Sequence, residues 1–158
     1  MIKAILSINQ NPNLILDVAT GTGDVAVMAA KYTKAKITAI DISENMLEIA
    51  KKKIKKYKLT NQIKIQFGDS ENLPFKNNSY DVITVGFGIR NLENREQGIK
   101  EIYRILKANG ILVILEPCTP IFFPFKQLYY IYMHYILPFF GRVISKDNYA
   151  YNYLTKSI

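Results

Sequence analysis

Cysteine is almost missing from this chain: Cys118 is the only one among 158 residues, which excludes an internal disulfide and fits a reducing compartment. Histidine is as scarce, with His134 alone, so the ligand count is too low for a zinc site. Met1 to Asn13 lacks the basic start, long apolar centre and small-residue cleavage site of a secretory signal, and carries only a short amphipathic stretch. Acidic residues are the minority, 13 against 21 Lys and Arg, for a formal net charge of +8. Such an excess suits nucleic acid, an anionic membrane surface or a lysine-rich proteome. Here much of it is local. Lys51, Lys52, Lys53, Lys55, Lys56 and Lys58 crowd the end of one predicted helix, where cations complement the helix dipole and form a solvated face, so no nucleic-acid partner is implied. Repeats and internal linkers are lacking as well. What is abundant is apolar surface, 49% of residues, enough for a single domain over residues 1–158 with a sizeable core.

That core is organised around Leu14-Ile15-Leu16-Asp17-Val18-Ala19-Thr20-Gly21-Thr22-Gly23-Asp24. Leu14 to Val18 is too short for a helix and nearly all apolar, as in a parallel strand buried on both faces. Past Gly23 the spacing of Val25, Met28 and Ala29 is helical. Between them Gly21 and Gly23 permit unusual dihedrals and close approach of a ligand to backbone at a helix N-terminus, a nucleotide-binding elbow. Gly21 to Ala26 fits the loose dinucleotide pattern G-x-G-x-x-A, which by itself is weak evidence. Asp41 ends the next apolar run about 20 residues after Gly21, where a carboxylate receives ribose hydroxyls, equally suited to NAD or S-adenosylmethionine. Asp17 discriminates between them. A carboxylate before the turn repels a pyrophosphate and attracts an ammonium and a sulfonium, which favours the methyl donor.

Taken in order, strands and helices alternate with short connections, the pattern of a doubly wound parallel sheet. Ser43 is a plausible N-cap with Glu44 in the first turn, and Met46, Ala50, Ile54 and Tyr57 are the expected buried stripe of that helix. Ile63 to Phe67 alternates as an edge strand should. Residues 68–75 form a loop, Tyr80 to Phe87 a fourth strand, and a helix capped by Asn94 follows, with Ile99, Ile102, Tyr103 and Leu106 expected to face inward. Gly110 to Leu115 is the fifth strand. All C-terminal strand ends then share one edge, and the ligand belongs in the crevice there.

Asp17 to Asp24, Asp41-Ile42-Ser43-Glu44-Asn45-Met46-Leu47, Leu73-Pro74-Phe75, Gly86-Phe87-Gly88-Ile89-Arg90-Asn91 and Gln127-Leu128-Tyr129, in that order, resemble the ubiquinone/menaquinone biosynthesis C-methyltransferases (UbiE/MenG). The likeness runs from about Leu14 to the end, and the Gly86 to Asn91 segment is its most family-specific part. It implies an α/β, Rossmann-like class I S-adenosylmethionine-dependent methyltransferase fold with a core over 14–117. It also implies a prenylated quinol as acceptor, S-adenosylmethionine as donor, no metal, and a cytoplasmic protein for which a homodimer is an open alternative. By position, Thr22, Asp41, the pair Asp69 and Ser70, and Gly86 match the family's cofactor contacts, beside Asp17, Gly21 and Gly23 of the elbow. Asp69 then faces the adenine amino group, or else closes a turn on its own backbone. Members of the family begin several dozen residues earlier and continue into two further strands, so a five-strand core without those strands is expected, incomplete at both ends.

Carbon attack on a sulfonium methyl needs an electron-rich ring, in-line alignment and help with the phenolic proton. Arg90 is the first candidate to stabilise phenolate; its structural alternative is an ion pair with Glu93 or Glu116. Glu116 is the second candidate, orienting Arg90 or accepting the proton. Tyr103 and Lys107 have the Tyr-x-x-x-Lys spacing of short-chain dehydrogenases but precede the fifth strand, on an element where those enzymes do not carry it. His134 reads as packed or surface. Ile121 to Ile144 is strongly aromatic yet interrupted by Lys126, Gln127, His134, Arg142, Pro124 and Pro138, which argues against a bilayer crossing. An aromatic helical lid that meets the inner face of the membrane peripherally is the expectation. The rival readings are a methyltransferase for another small molecule and a truncated cofactor-binding remnant.

Overall fold

A computed structural model describes residues 1–8, 11–118 and 120–137. The chain divides into two compact units, Met1–Glu116 and Pro117–Ile158.

The first unit runs α1 (Ile2–Ile8), β1 (Leu14–Val18), α2 (Asp24–Tyr32), β2 (Lys36–Asp41), α3 (Glu44–Lys56), β3 (Ile63–Phe67), β4 (Tyr80–Gly86), a 3-10 turn (Ile89–Asn91), α4 (Arg95–Ile105) and β5 (Leu106–Leu115). The five strands are all parallel, in the order β3-β2-β1-β4-β5. The chain winds outward from β1 to β3, then crosses back to β4 beside β1, so the direction of winding reverses between β1 and β4. Val18 lies opposite Ile40 on one side and Val85 on the other, which brings the strand ends to one edge. Two apolar clusters cover the faces of the sheet. Ile15, Ile37 and Val82 pack with α1, α2 and Ile54, whereas Leu16, Val18, Ile40, Ile83 and Val85 pack with Ile102 and Ile105 of α4.

Ser43 caps α3, its hydroxyl accepting the Met46 N–H, and Asn94 caps α4 by accepting the Gln97 N–H. The buried stripes differ from those expected. In α3 they are Leu47, Ala50 and Ile54, a narrow i, i+3, i+7 line that leaves Met46 and Tyr57 exposed. In α4 they are Gly98, Ile102 and Ile105, which turns Ile99 outward and leaves Tyr103 80% exposed. Leu106 is not helical. It opens β5 directly after α4, opposite Tyr80, with an irregularity between Tyr80 and Val82, so the fifth strand starts earlier than Gly110.

The second unit contains α5 (Phe125–Ile131), continued by a π-helical turn over Tyr132–Ile136. Tyr130 stacks on His134 at a centroid distance of 4.0 Å, and the His134 Nδ1 lies 3.1 Å from the Tyr130 carbonyl oxygen. The aromatic segment is described through residue 137; Pro138, Arg142 and the rest of it to Ile144 lie outside the described residues. No helix among the described residues is long and apolar enough to cross a membrane.

Candidate functional site

The elbow begins where β1 ends. Ala19, Gly21 and Gly23 all have positive φ, at 52°, 56° and 78°. A Cβ on Gly21 would meet nothing within 4 Å, so this peptide faces open space and leaves its backbone accessible. At Gly23 the reason for glycine is different: a Cβ there would lie 3.1 Å from that of Ala50, which lets α3 press close to the turn. Asp41, at the end of β2 and buried, closes the elbow. Its Oδ2 accepts the Gly21 N–H at 2.7 Å, and its Oδ1 accepts the Ser43 N–H at 2.8 Å. Each oxygen keeps a second lone pair for a ligand hydroxyl.

Asp17 sits one layer deeper, only 1% exposed. The Thr20 hydroxyl donates to its Oδ2 at 2.5 Å and the Thr84 hydroxyl to its Oδ1 at 2.6 Å. Burial pushes its carboxyl up to about 6 despite those two hydrogen bonds, with a small further push from Asp41. Asp17 thus lies behind the elbow, with Thr20 between its carboxylate and the turn. Neither Thr20 nor Thr84 stands out in the sequence as a partner of Asp17; Thr84 lies in mid-strand, with no local signal to distinguish it from a β-branched packing residue.

Thr22 is engaged in a polar cluster. Its hydroxyl donates to Asp24 Oδ2 at 2.7 Å and accepts from Lys53 Nζ at 3.1 Å, while Lys53 pairs with Asp24 at 2.7 Å. The Lys53 and Thr22 bonds hold the Asp24 carboxyl below its usual range. Lys53 is therefore the one lysine of the α3 group that reaches the elbow.

The loop after β3 is tied to the same edge by the Gly68 N–H, which donates to the Asp41 carbonyl at 3.1 Å. Asp69 is exposed and its Oδ1 accepts the Glu71 N–H at 2.8 Å, the turn-closing arrangement; Ser70 is buried. Gly86 ends β4. Beyond it Gly88 rests on the elbow, where an added Cβ would come within 2.6 Å of that of Ala19. The 3-10 turn then presents Arg90. Glu116, just past β5, binds this turn twice: Oε1 accepts the Ile89 N–H at 2.7 Å and Oε2 pairs with Arg90 Nη1 at 3.1 Å. Of the two acidic partners considered for Arg90, Glu116 is the one it pairs with. Arg90 Nε is buried and has no hydrogen-bond partner, a donor left for an oxygen to satisfy. Tyr103 and Lys107 do not form a catalytic pair, because Lys107 binds Asp81 at 2.7 Å and Tyr103 points outward. No metal-holding cluster occurs among the described residues.

An open glycine backbone, a carboxylate at the end of β2 and a second, buried carboxylate suit a cationic nucleoside better than a dinucleotide. The family model described as the ubiE/COQ5 methyltransferase family matches residues 2–158. The chain belongs to that family. A demethylmenaquinone methyltransferase of Bacteroides fragilis is 45% identical over 148 residues, 93% of this chain and 60% of that protein. The ubiquinone/menaquinone biosynthesis C-methyltransferase UbiE of Geotalea daltonii is 46% identical over 98% of this chain and 67% of its own length. Among solved structures, a SAM-dependent methyltransferase from Aquifex aeolicus superposes with a TM-score of 0.68 at 25% identity, over 75% of this chain and 64% of that one. The fold is that of the class I methyltransferases, and membership of the ubiE/COQ5 family implies S-adenosylmethionine as cofactor. The chain spans about 60% of the length of the Bacteroides relative.

Proposed function

We propose that this chain carries out S-adenosylmethionine-dependent C-methylation of a demethylated prenyl quinol, demethylmenaquinol to menaquinol. The observation that carries the reading is the closed elbow, with Asp41 on the Gly21 N–H beside the point where the winding reverses, in a chain 45% identical to a demethylmenaquinone methyltransferase. The cofactor supplies an electrophilic methyl group on sulfonium. Gly21, Gly23 and the acceptor oxygens of Asp41 hold the nucleoside, Asp17 adds negative potential behind it, and Asp69, Ser70 and Gly86 line its adenine and methyl ends. Arg90 is the catalytic residue. Its guanidinium, fixed by Glu116, stabilises the phenolate character that makes the quinol ring carbon nucleophilic, and Glu116 orients it. A guanidinium stays protonated, so the phenolic proton leaves to solvent or to Glu116 rather than to Arg90, and the proton on the methylated ring carbon is lost afterwards as the ring regains its aromaticity and the oxygen its proton.

Single-turnover methyl transfer to a reduced demethylmenaquinone analogue tests this, with cofactor affinity measured separately by calorimetry. Arg90→Ala lowers turnover roughly a hundredfold, the loss typical of one oxyanion donor, with little change in affinity, and Arg90→Lys loses less. Normal turnover in Arg90→Ala removes it from the mechanism. Tighter binding of NAD than of S-adenosylmethionine refutes the cofactor.

The aromatic segment 121–144 is proposed to meet the membrane surface from which a prenylated acceptor is drawn. Ile121, Phe122, Phe123 and Phe125 are all exposed, next to Lys126. Apolar and aromatic side chains in that arrangement suit the headgroup interface.

A further inference from the structure

The loop over residues 68–79 carries Asp69 and Ser70 but has no helix or strand of its own to fix it. Leu73 is its fully buried apolar side chain and Phe75 packs against the same cluster, edge-to-face on Tyr80 at 5.2 Å, which anchors the middle of the loop without determining where residues four positions before Leu73 point. The most connected polar group on the loop is one arginine. Arg104, on the last turn of α4, donates from Nη1 to the Phe75 carbonyl at 2.7 Å and to Asn77 Oδ1 at 2.9 Å. From Nη2 it donates to the Leu73 carbonyl at 2.9 Å and to Glu101 Oε2 at 2.7 Å, and from Nε to Glu101 Oε1 at 2.7 Å. A guanidinium has five N–H donors, and here all five are taken. Glu101 does more than neutralise it: Oε2 also accepts the Leu73 N–H at 2.9 Å, so the carboxylate and the guanidinium grip the N–H and the carbonyl of the same residue. This network keeps the Glu101 carboxyl below its usual range, chiefly through Arg104.

Further ties run from the loop to α4: Gln97 Nε2 donates to the Glu71 carbonyl at 3.4 Å and the Ser79 N–H to the Ile105 carbonyl at 2.7 Å. Glu71 Oε1 accepts the Asn94 N–H at 2.8 Å, and the Asn78 N–H donates to the Arg104 carbonyl at 3.0 Å. At its other end the Gly68 N–H holds the Asp41 carbonyl. The loop is thereby stretched between the backbone of Asp41, at the end of β2, and the last turn of α4, with Asp69 next to the Asp41 end.

We propose that Arg104, anchored by Glu101, is a positioning residue that acts through this loop to set Asp69 and Ser70 against the adenosine end of the cofactor. The inference rests on the reading of the elbow as an S-adenosylmethionine site. A lysine cannot replace the arginine, because it keeps the charge but supplies three donors in place of a planar fork of five.

The test uses the full chain and two measurements, titration calorimetry and hydrogen exchange, on Arg104→Met, Arg104→Lys, Asp69→Ala and the Arg104→Met/Asp69→Ala double variant. In titration calorimetry Arg104→Met weakens S-adenosylmethionine binding roughly tenfold to a hundredfold, the effect of misplacing a binding group, and Arg104→Lys falls between it and the unmodified chain. Asp69→Ala weakens binding in the unmodified background and adds nothing in the Arg104→Met background, since an unplaced Asp69 has nothing left to lose. In ligand-free hydrogen exchange the amides of Asn72, Leu73 and Phe75 exchange faster in Arg104→Met while those of β1 and β2 stay protected. A merely structural arginine predicts additive losses in the cycle and general loss of protection, and either result overturns the proposal. So does unchanged affinity in Arg104→Met, or no effect of Asp69→Ala alone. If the unmodified chain binds no S-adenosylmethionine, the function reading itself falls, and the role assigned to Arg104 falls with it. A chain that binds while Arg104→Met binds equally well refutes the positioning role only. Should Arg104→Met fail to fold, the same cycle on Arg104→Lys decides the question.

Discussion

Asp17→Asn should make this protein more stable at neutral pH and a worse binder. The carboxyl of Asp17 lies at about 6 in the fold against an ordinary 3.8, raised first by burial. A carboxyl whose folded value is raised binds more protons in the native state than in the unfolded one between those two values, so stability falls as pH rises through that window. At about 1.36 kcal/mol for each tenfold change in proton affinity, the rise amounts to about 3 kcal/mol, of which about 2 kcal/mol is lost between pH 4.5 and 7.5. Asparagine keeps the shape and remains neutral. Its amide oxygen accepts from one threonine hydroxyl, and its NH2 donates to the other once that hydroxyl rotates. The cost is about 1 kcal/mol for exchanging hydrogen bonds to a charged acceptor for neutral ones. Urea titrations of both proteins at pH 4.5 and 7.5 give the answer as a difference of differences, which cancels every titrating group the two share. Asp17→Asn gains about 2 kcal/mol on the unmodified chain across that interval, and calorimetry at pH 7.5 shows weaker S-adenosylmethionine binding, since the negative potential behind the elbow is gone. A stability gap independent of pH, or undiminished cofactor affinity, refutes the reasoning.

Asp41→Ala removes the acceptor on which the Gly21 and Ser43 N–H groups close, and should weaken S-adenosylmethionine binding by about 1.5–3 kcal/mol in calorimetry, the worth of charged hydrogen bonds. Gly88→Ala drives a Cβ to within 2.6 Å of that of Ala19, where backbone on both sides must shift, and should cost about 1–3 kcal/mol in chemical denaturation. If the 121–144 segment meets the bilayer, the chain co-sediments with anionic vesicles and added salt weakens the binding; failure to bind vesicles of any composition rules that contact out.

The order of strands and helices could be read from the sequence because each is a local property. Leu14 to Val18 is apolar on both faces, Gly21 and Gly23 mark the turn, and Ser43 and Asn94 are caps whose partners lie three residues on. The elbow and Asp41 could be found for the same reason: the Gly21 to Asp41 bond crosses adjacent parallel strands, and the sheet pattern puts both residues at one edge. Periodicity alone did not decide which side of a helix is buried. The apolar chemistry of Met46, Tyr57, Ile99 and Tyr103 suits a buried stripe, yet the faces of α3 and α4 that are buried carry Leu47 and Ile105 and leave those four residues outward. Pairings between distant segments were beyond sequence reasoning altogether. Thr84 reaches Asp17 from 67 positions away, and Arg104 reaches Leu73 from 31. Sequence determined the glycine turn, its carboxylates and the edge they share, because each follows from local pattern; the packing of β4 and α4 around the β1 elbow decided which of those groups are buried, which are shared with other partners, and which remain exposed.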